Sequence, residues 1–284
     1  MEVRMRSGMV EKQGSVVAYL KSNIRSWHGP SSDAAQKLKA ARSRGLIGCL
    51  PLPQDVKHKL HVDCPLPPPP RLYITMVKMA QYHSVGLFGG AITASLPSTY
   101  ADVRSATNST MKETHLTHDS EIRQVPDNQE VYLDTNGFAS IVVDILERVE
   151  KPDTEALQYH LHDIVEEDAG ETKVWSTAEA HLAKLPQGTP SYTLFATSPP
   201  SEKQKGRQNE PDFVGILLTI IRLEQQKTDI LVVINVPHIA GQYDPAEVDP
   251  EKGKHGPLLE AAIDRRTKMI ETLEIKDWEL FVQG

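Results

Sequence analysis

Apolar and polar positions alternate most clearly late in the chain. Within 212–225, Phe213, Leu217, Ile221 and Leu223 oppose Val214, Ile216, Leu218 and Ile220. Within 229–237, Ile230, Val232, Ile234 and Val236 oppose Leu231 and Val233. A strand that is apolar on both sides belongs in the centre of a sheet covered on both faces. The link 226–228 is too short for a parallel crossover, so these two strands are expected to form an antiparallel hairpin. Shorter β-rich runs occupy 86–95, 129–134, 140–150 and 191–197, with Asn136-Gly137 as a hairpin signal between the second and third. Two stretches change period. Leu157, His160, Leu161, Ile164 and Val165 form a helical stripe behind Pro152-Asp153, and Leu259, Ala262, Ile263, Met269, Ile270 and Leu273 form another within 257–273. The pattern predicts an α/β fold, a mainly antiparallel sheet sandwiched between helices (α/β/α).

Two regions depart from it. Residues 1–84 hold seven of the chain's 20 prolines between Pro51 and Pro70, ending in a run that favours extended polyproline II. A basic stretch at 34–44 has Leu38 as nearly its only large apolar residue, so it offers no face to bury. This head reads as a disordered extension, or as the product of an early start codon. Residues 104–119 (RSATNSTMKETHLTHD) have no period and little apolar content. Two readings are open for them: a polar surface loop, or a translated short intron inserted into the domain that spans 85–284.

Charge sharpens the division. The first 84 residues carry 13 Lys and Arg against 5 Asp and Glu; the rest carry 18 against 33, for a net charge of −7 overall. An acidic body repels phosphate backbones, which argues against nucleic acid and for a basic protein partner. No apolar run approaches the ~20 residues of a membrane-spanning helix. Cys49 and Cys64 are too few for a four-ligand zinc site, and the first residues lack the apolar core of a secretory signal. A soluble, intracellular protein without membrane attachment is expected.

Catalytic signatures are missing. The chain has no GxxxxGK[ST], GxGxxG or GxSxG. His160-Leu-His162-Asp163 looks like part of a metal motif, yet residues two apart on a helix point about 200° from one another, so both imidazoles cannot face one ion. Packing or surface histidines are the expected reading. No catalytic residue, metal or cofactor is assigned, and the chain is read as a non-enzyme. The remaining candidates are acidic: Asp127 and Glu130 around the entrance of one strand, and Asp144 and Glu147 embedded among aliphatics in the next.

Taken together, LFGGAITASLP (87–97), IRQVPDNQEVYLD (122–134), SIVVDILERVE (140–150) and INVP (234–237) resemble the Mog-type Ran-binding nuclear import factors. That family shares an α/β/α sandwich with the PsbP proteins of photosystem II. The resemblance covers 85–284, leaves out 1–84 and departs at 104–119. It implies a protein that binds the small GTPase Ran, promotes release of its guanine nucleotide and supports nuclear protein import. It also implies a monomer in the nucleus with a cytoplasmic pool. Asp144 and Glu147 then become Ran contacts, with Asp127 and Glu130 as neighbours. Asp144 and Glu147 have opposite strand parity, so the strand must end, bulge or present its rim for both to touch one partner. Glu147 shares parity with Ile141, Val143 and Ile145 and is expected to mark where burial stops. The alternative is a PsbP-like ligand-binding or structural sandwich without a GTPase partner.

Overall fold

The two doubly apolar runs become long neighbouring strands, β8 (Pro211–Leu223) and β9 (Thr228–Ile239), in a computed structural model that describes residues 81–104, 125–201, 204–207 and 209–281. The expected extension at 1–84 therefore falls outside the described residues except at its end, and the polar segment 104–119 falls outside them except for Arg104. Strand β1 (Tyr82–Leu87) begins within the stretch assigned to that extension.

The other elements follow in chain order: β2 (Ile92–Pro97), β3 (Tyr100–Asp102), β4 (Gln129–Asp134), β5 (Ser140–Glu147), α1 (Asp153–Val165), β6 (Lys173–Glu179), β7 (Ser191–Ser198), then β8 and β9, α2 (Gly256–Thr272) and β10 (Glu274–Ile275). Seven strands form one sheet in the order β3-β4-β5-β9-β8-β7-β6, every pair antiparallel. A second sheet joins β1, β2 and β10. The expectation of mainly antiparallel pairing with helices holds; the second sheet was not foreseen. Among the described residues no helix is long and apolar enough to cross a membrane.

Strand alternation divides the core in two. Ile141, Val143, Leu217, Ile221, Val232 and Ile234 cluster with Leu259, Ala262 and Met269 of α2, with Leu273 just past its end and with Ile92, Ala94 and Leu96 of β2. Val142, Ile216, Leu218, Ile220, Leu231 and Val233 cluster with Ala156, Leu157, Leu161, Ile164 and Val165 of α1. Neighbouring residues of a strand face opposite ways, so α1 and α2 cover opposite faces. Helix α1 starts at Pro152 with Asp153 and Glu155 in its first turn, where negative charge meets the positive end of the helix dipole. It ends where Glu166 takes a left-handed φ of 49°.

Two differences from the sequence expectation have simple causes. The single strand expected at 86–95 is the β1–β2 hairpin, because Phe88, Gly89 and Gly90 all take positive φ (51°, 69° and 95°) and turn the chain. Strand β6 was missed because six of its seven residues are exposed and leave no apolar alternation. It is an edge strand, held by pairing with β7 across a bulge between Val174 and Ser176. The hairpin expected at Asn136-Gly137 forms as the β4–β5 pair, and its 135–139 link closes through Asp134, whose side chain accepts the Asn136 N–H at 3.1 Å.

Helix α2 lies so close to the sheet that a Cβ on Gly215 would meet Leu259 Cδ2 at 2.5 Å. Leu259 is fully buried, so making room for the methyl group displaces packed neighbours. Gly215→Ala is expected to cost about 1–3 kcal/mol through overpacking, read as a lower midpoint in urea unfolding. An unchanged midpoint would mean that the Leu259 side chain or the helix gives way without cost.

Candidate functional site: the rim of the β4–β5 pair

The entrance of β4 and the exit of β5 lie side by side. The pair runs antiparallel from Gln129 opposite Asp144 to Leu133 opposite Ser140. One step ahead of it, Asn128 is held against Ile145: the Ile145 N–H donates to Asn128 O at 2.9 Å, and Asn128 Nδ2 donates to Ile145 O at 3.2 Å. Arg104 fastens the same turn from the other side. Its Nη2 donates to Pro126 O at 2.6 Å and to Gln129 O at 3.1 Å, and lies 4.0 Å from the Asp127 carboxylate. Residues 126–129 are thereby fixed beside the last residues of β5.

This geometry separates the four candidate carboxylates. Asp127, with 90% of its side chain exposed, and Glu147, also exposed, stand on the same rim. Glu147 is the last residue of β5, paired with Thr228, and burial does stop there. Asp144 and Glu130 are buried, at 3% and 7% exposure, so neither carboxylate stands open at the surface as Asp127 and Glu147 do. They also face opposite ways, because Glu130 pairs with Val143, one residue from Asp144.

The surroundings of the buried pair explain what they do instead. Glu130 accepts the Phe88 N–H at 2.8 Å and so ties the β1–β2 turn to the large sheet. Burial raises its pKa, opposed by that N–H and by the charge of Arg104. Asp144 Oδ1 accepts from Gln129 Nε2 at 2.8 Å, while its Oδ2 is buried without a hydrogen-bond partner. Burial pushes the Asp144 carboxyl up to about 7, the Gln129 bond opposes this, and the charge of Asp163 adds to it. Asp144 thus supports the rim from beneath through Gln129.

A second group of charges, missed in the sequence, sits where the chain leaves β5. Arg222 and Asp229 lie directly opposite each other on β8 and β9, both fully buried, with Arg222 Nε donating to Asp229 Oδ1 at 3.0 Å. Asp229 Oδ2 accepts the Val149 N–H at 3.1 Å and lies 3.1 Å from His160 Nε2. Arg222 Nη1 donates to Lys151 O at 2.7 Å and Asp153 Oδ1 at 2.8 Å, and Nη2 donates to Val149 O at 2.5 Å. Burial would raise Asp229, but the bonds from His160, Arg222 and Val149 outweigh it and hold the carboxyl below its ordinary range. His160 is thus occupied by packing and a carboxylate, whereas His162 is exposed. The described residues contain no group of three His, Cys, Asp or Glu placed to hold a metal ion. The signal that could have found the pair was an arginine and an aspartate inside two apolar strands, symmetric about their connecting turn.

Comparison with known proteins adds identity to this geometry. The nuclear import protein mog1 of Schizosaccharomyces pombe is 26% identical over 205 residues, spanning 69% of this chain and 99% of that protein. The Ran guanine nucleotide release factor of Danio rerio is 28% identical over 158 residues, 53% of this chain and 76% of that factor. The crystal structure of the Saccharomyces cerevisiae Ran-binding protein Mog1p superposes with a TM-score of 0.52 at 26% identity, over 72% of this chain and 100% of that one. The sequence profile of the Ran-interacting Mog1 proteins matches residues 85–237, more than half of the 284 residues and including the whole rim, so this chain belongs to the Ran-interacting Mog1 protein family.

Proposed function

We propose that this protein binds the GTPase Ran, promotes release of Ran's guanine nucleotide and in this way supports nuclear protein import. The observation that carries the reading is a family match that runs through the rim where Asp127 and Glu147 stand exposed together. Two acidic side chains on a fixed edge suit a basic patch of Ran. Such charges speed encounter and set docking register more than they add raw affinity. The reading requires no bond to be made or broken by this chain. A partner that prefers nucleotide-free Ran must weaken nucleotide binding by the same factor, typically about 5–150-fold for coupled sites. The chain therefore acts as a binding factor and not an enzyme, as a monomer, in the nucleus with a cytoplasmic pool. The layers described above are read as the α/β/α sandwich of its family.

Asp127 and Glu147 are assigned direct contact with Ran. Asp144 is assigned an indirect part, through the Gln129 amide that holds the entrance of β4. The test follows fluorescent guanine-nucleotide release from Ran as the chain is added. Release is expected to accelerate, to slow as salt is raised, and to need at least about tenfold more protein when Glu147 is replaced by lysine, because a like charge now meets the basic partner. Release that accelerates equally with Glu147→Lys would move the contact elsewhere. No acceleration by the folded wild-type chain would remove the Ran reading itself.

A further inference from the structure

We infer that the buried Arg222–Asp229 pair is a positioning element for partner binding, one that sets the path of residues 147–151 and so aims Glu147. The inference rests on the Ran reading given above. Regular pairing of β5 with β9 ends at Glu147 opposite Thr228, and one further backbone bond follows, from Arg148 N–H to Lys227 O at 2.8 Å. Beyond that point side chains take over from the ladder. The Val149 residue is held on both of its backbone groups, its N–H by Asp229 and its C=O by Arg222. Lys151 O is held by the same guanidinium, and Asp153 at the start of α1 receives another of its N–H groups.

The pair therefore spends its bonds on the backbone of the segment leaving the rim. A hydrophobic pair of similar volume at positions 222 and 229 would fill the core equally well, since buried ion pairs are often neutral or costly against such replacements. It could not hold a peptide by both its donor and its acceptor. What the charges add is direction. Glu147 is itself the last ladder residue, and two residues ahead of it Val149 is held by Asp229 and Arg222, so the direction in which the chain leaves the ladder is fixed. A carboxylate that must meet a basic partner in a defined register loses less freedom on binding when its backbone is already fixed.

Arginine is needed here for its shape. Its planar fork reaches Asp229, Asp153, Val149 O and Lys151 O at once, whereas lysine carries the same charge as a single point on a flexible stem. Arg222→Lys keeps the charge beside Asp229 and releases the backbone. Asp229→Asn is the complementary change: its amide oxygen can still accept from Arg222 Nε, but its NH2 group would face the Val149 N–H, donor against donor.

The experiment uses the full chain with Ran carrying fluorescent guanine nucleotide, and reads the protein concentration giving half-maximal release together with amide hydrogen exchange. Gly215→Ala serves as the destabilised control, since Gly215 lies toward the other end of β8, opposite Thr197 and Val236. For Arg222→Lys, a shift of about tenfold to higher concentration is expected. Amide exchange should be faster at 148–151, protection should be retained across β8 and β9, and the control should release nucleotide as the wild type does. Should Arg222→Lys fail to fold, Asp229→Asn is expected to give the same shift. Wild-type release by a variant whose 148–151 amides exchange faster would overturn the positioning role while leaving the Ran reading intact. An equal shift in Gly215→Ala would reduce the effect to stability and overturn it too. No release by the wild-type chain would remove the Ran reading and this inference with it.

Discussion

Replacing Asp229 by alanine is expected to lower the folding stability by roughly 3–5 kcal/mol, the cost of leaving one member of a buried pair without its partner. Arg222 would keep Asp153, but Asp153 is about one third exposed and reaches only one of the guanidinium nitrogens, whereas Asp229 is fully buried and accepts at Nε. Two further groups lose their partner with Asp229: the Val149 N–H and the His160 ring. Natural domains hold only about 5–15 kcal/mol in total, so the variant should sit near the limit of folding at ambient temperature. Urea unfolding measures this directly, and a loss below about 1 kcal/mol would mean that water reaches the site and solvates Arg222.

The second large effect is a dependence on pH carried by Asp144. Its carboxyl is pushed up to about 7 in the folded protein by burial, while in an unfolded chain an aspartate titrates near 3.9. Between those two values the folded state binds a proton that the unfolded state has released. The contribution of the neutral side chain is therefore fully present below about pH 4 and is lost as pH rises to about 7, after which it changes no further. Three pH units of this difference correspond to about 4 kcal/mol. Asp144→Asn cannot ionise, so its stability relative to the wild type should improve by roughly that amount between pH 4 and 8. A constant offset from the amide's own unpaired N–H groups is expected on top, of about 1–3 kcal/mol. Other carboxylates titrate in both proteins and cancel in the difference. Parallel stability curves over this range would show that Asp144 stays ionised and reaches water, which would return it to the partner surface from which its burial removes it.

Both effects come from charged residues placed where a reading of the pattern expects apolar ones. Asp144 lies between Val143 and Ile145, and Asp229 opens the apolar run of β9. A linear pattern marks such residues as exceptions without saying what surrounds them. Exposure at the rim was legible for Glu147, because its parity places it just past Ile145 at the end of an apolar face. It was not legible for Asp144, which has the other parity and lies on the face of the Val142 and Val131 cluster. The HxHxD stretch shows the same limit. Helical geometry excluded a shared ion from sequence alone, but the carboxylate that His160 meets is 69 residues away in the chain.

What the sequence by itself determined is whatever depends on neighbours along the chain: the two central strands, the antiparallel sense of their short connections, the stripes of α1 and α2, and the family likeness carried by four short motifs. These follow from local period and loop length, which act within a few residues. The tertiary structure alone decided that Asp144 and Glu130 are buried. It also made a turn of Phe88–Gly90, created β6 through its pairing with β7, and brought Arg222, Asp229, His160 and Val149 to one point. Those outcomes depend on contacts between residues far apart in the chain. Burial and hydrogen bonding belong to a position in space, and only the packed sheet assigns each side chain its position.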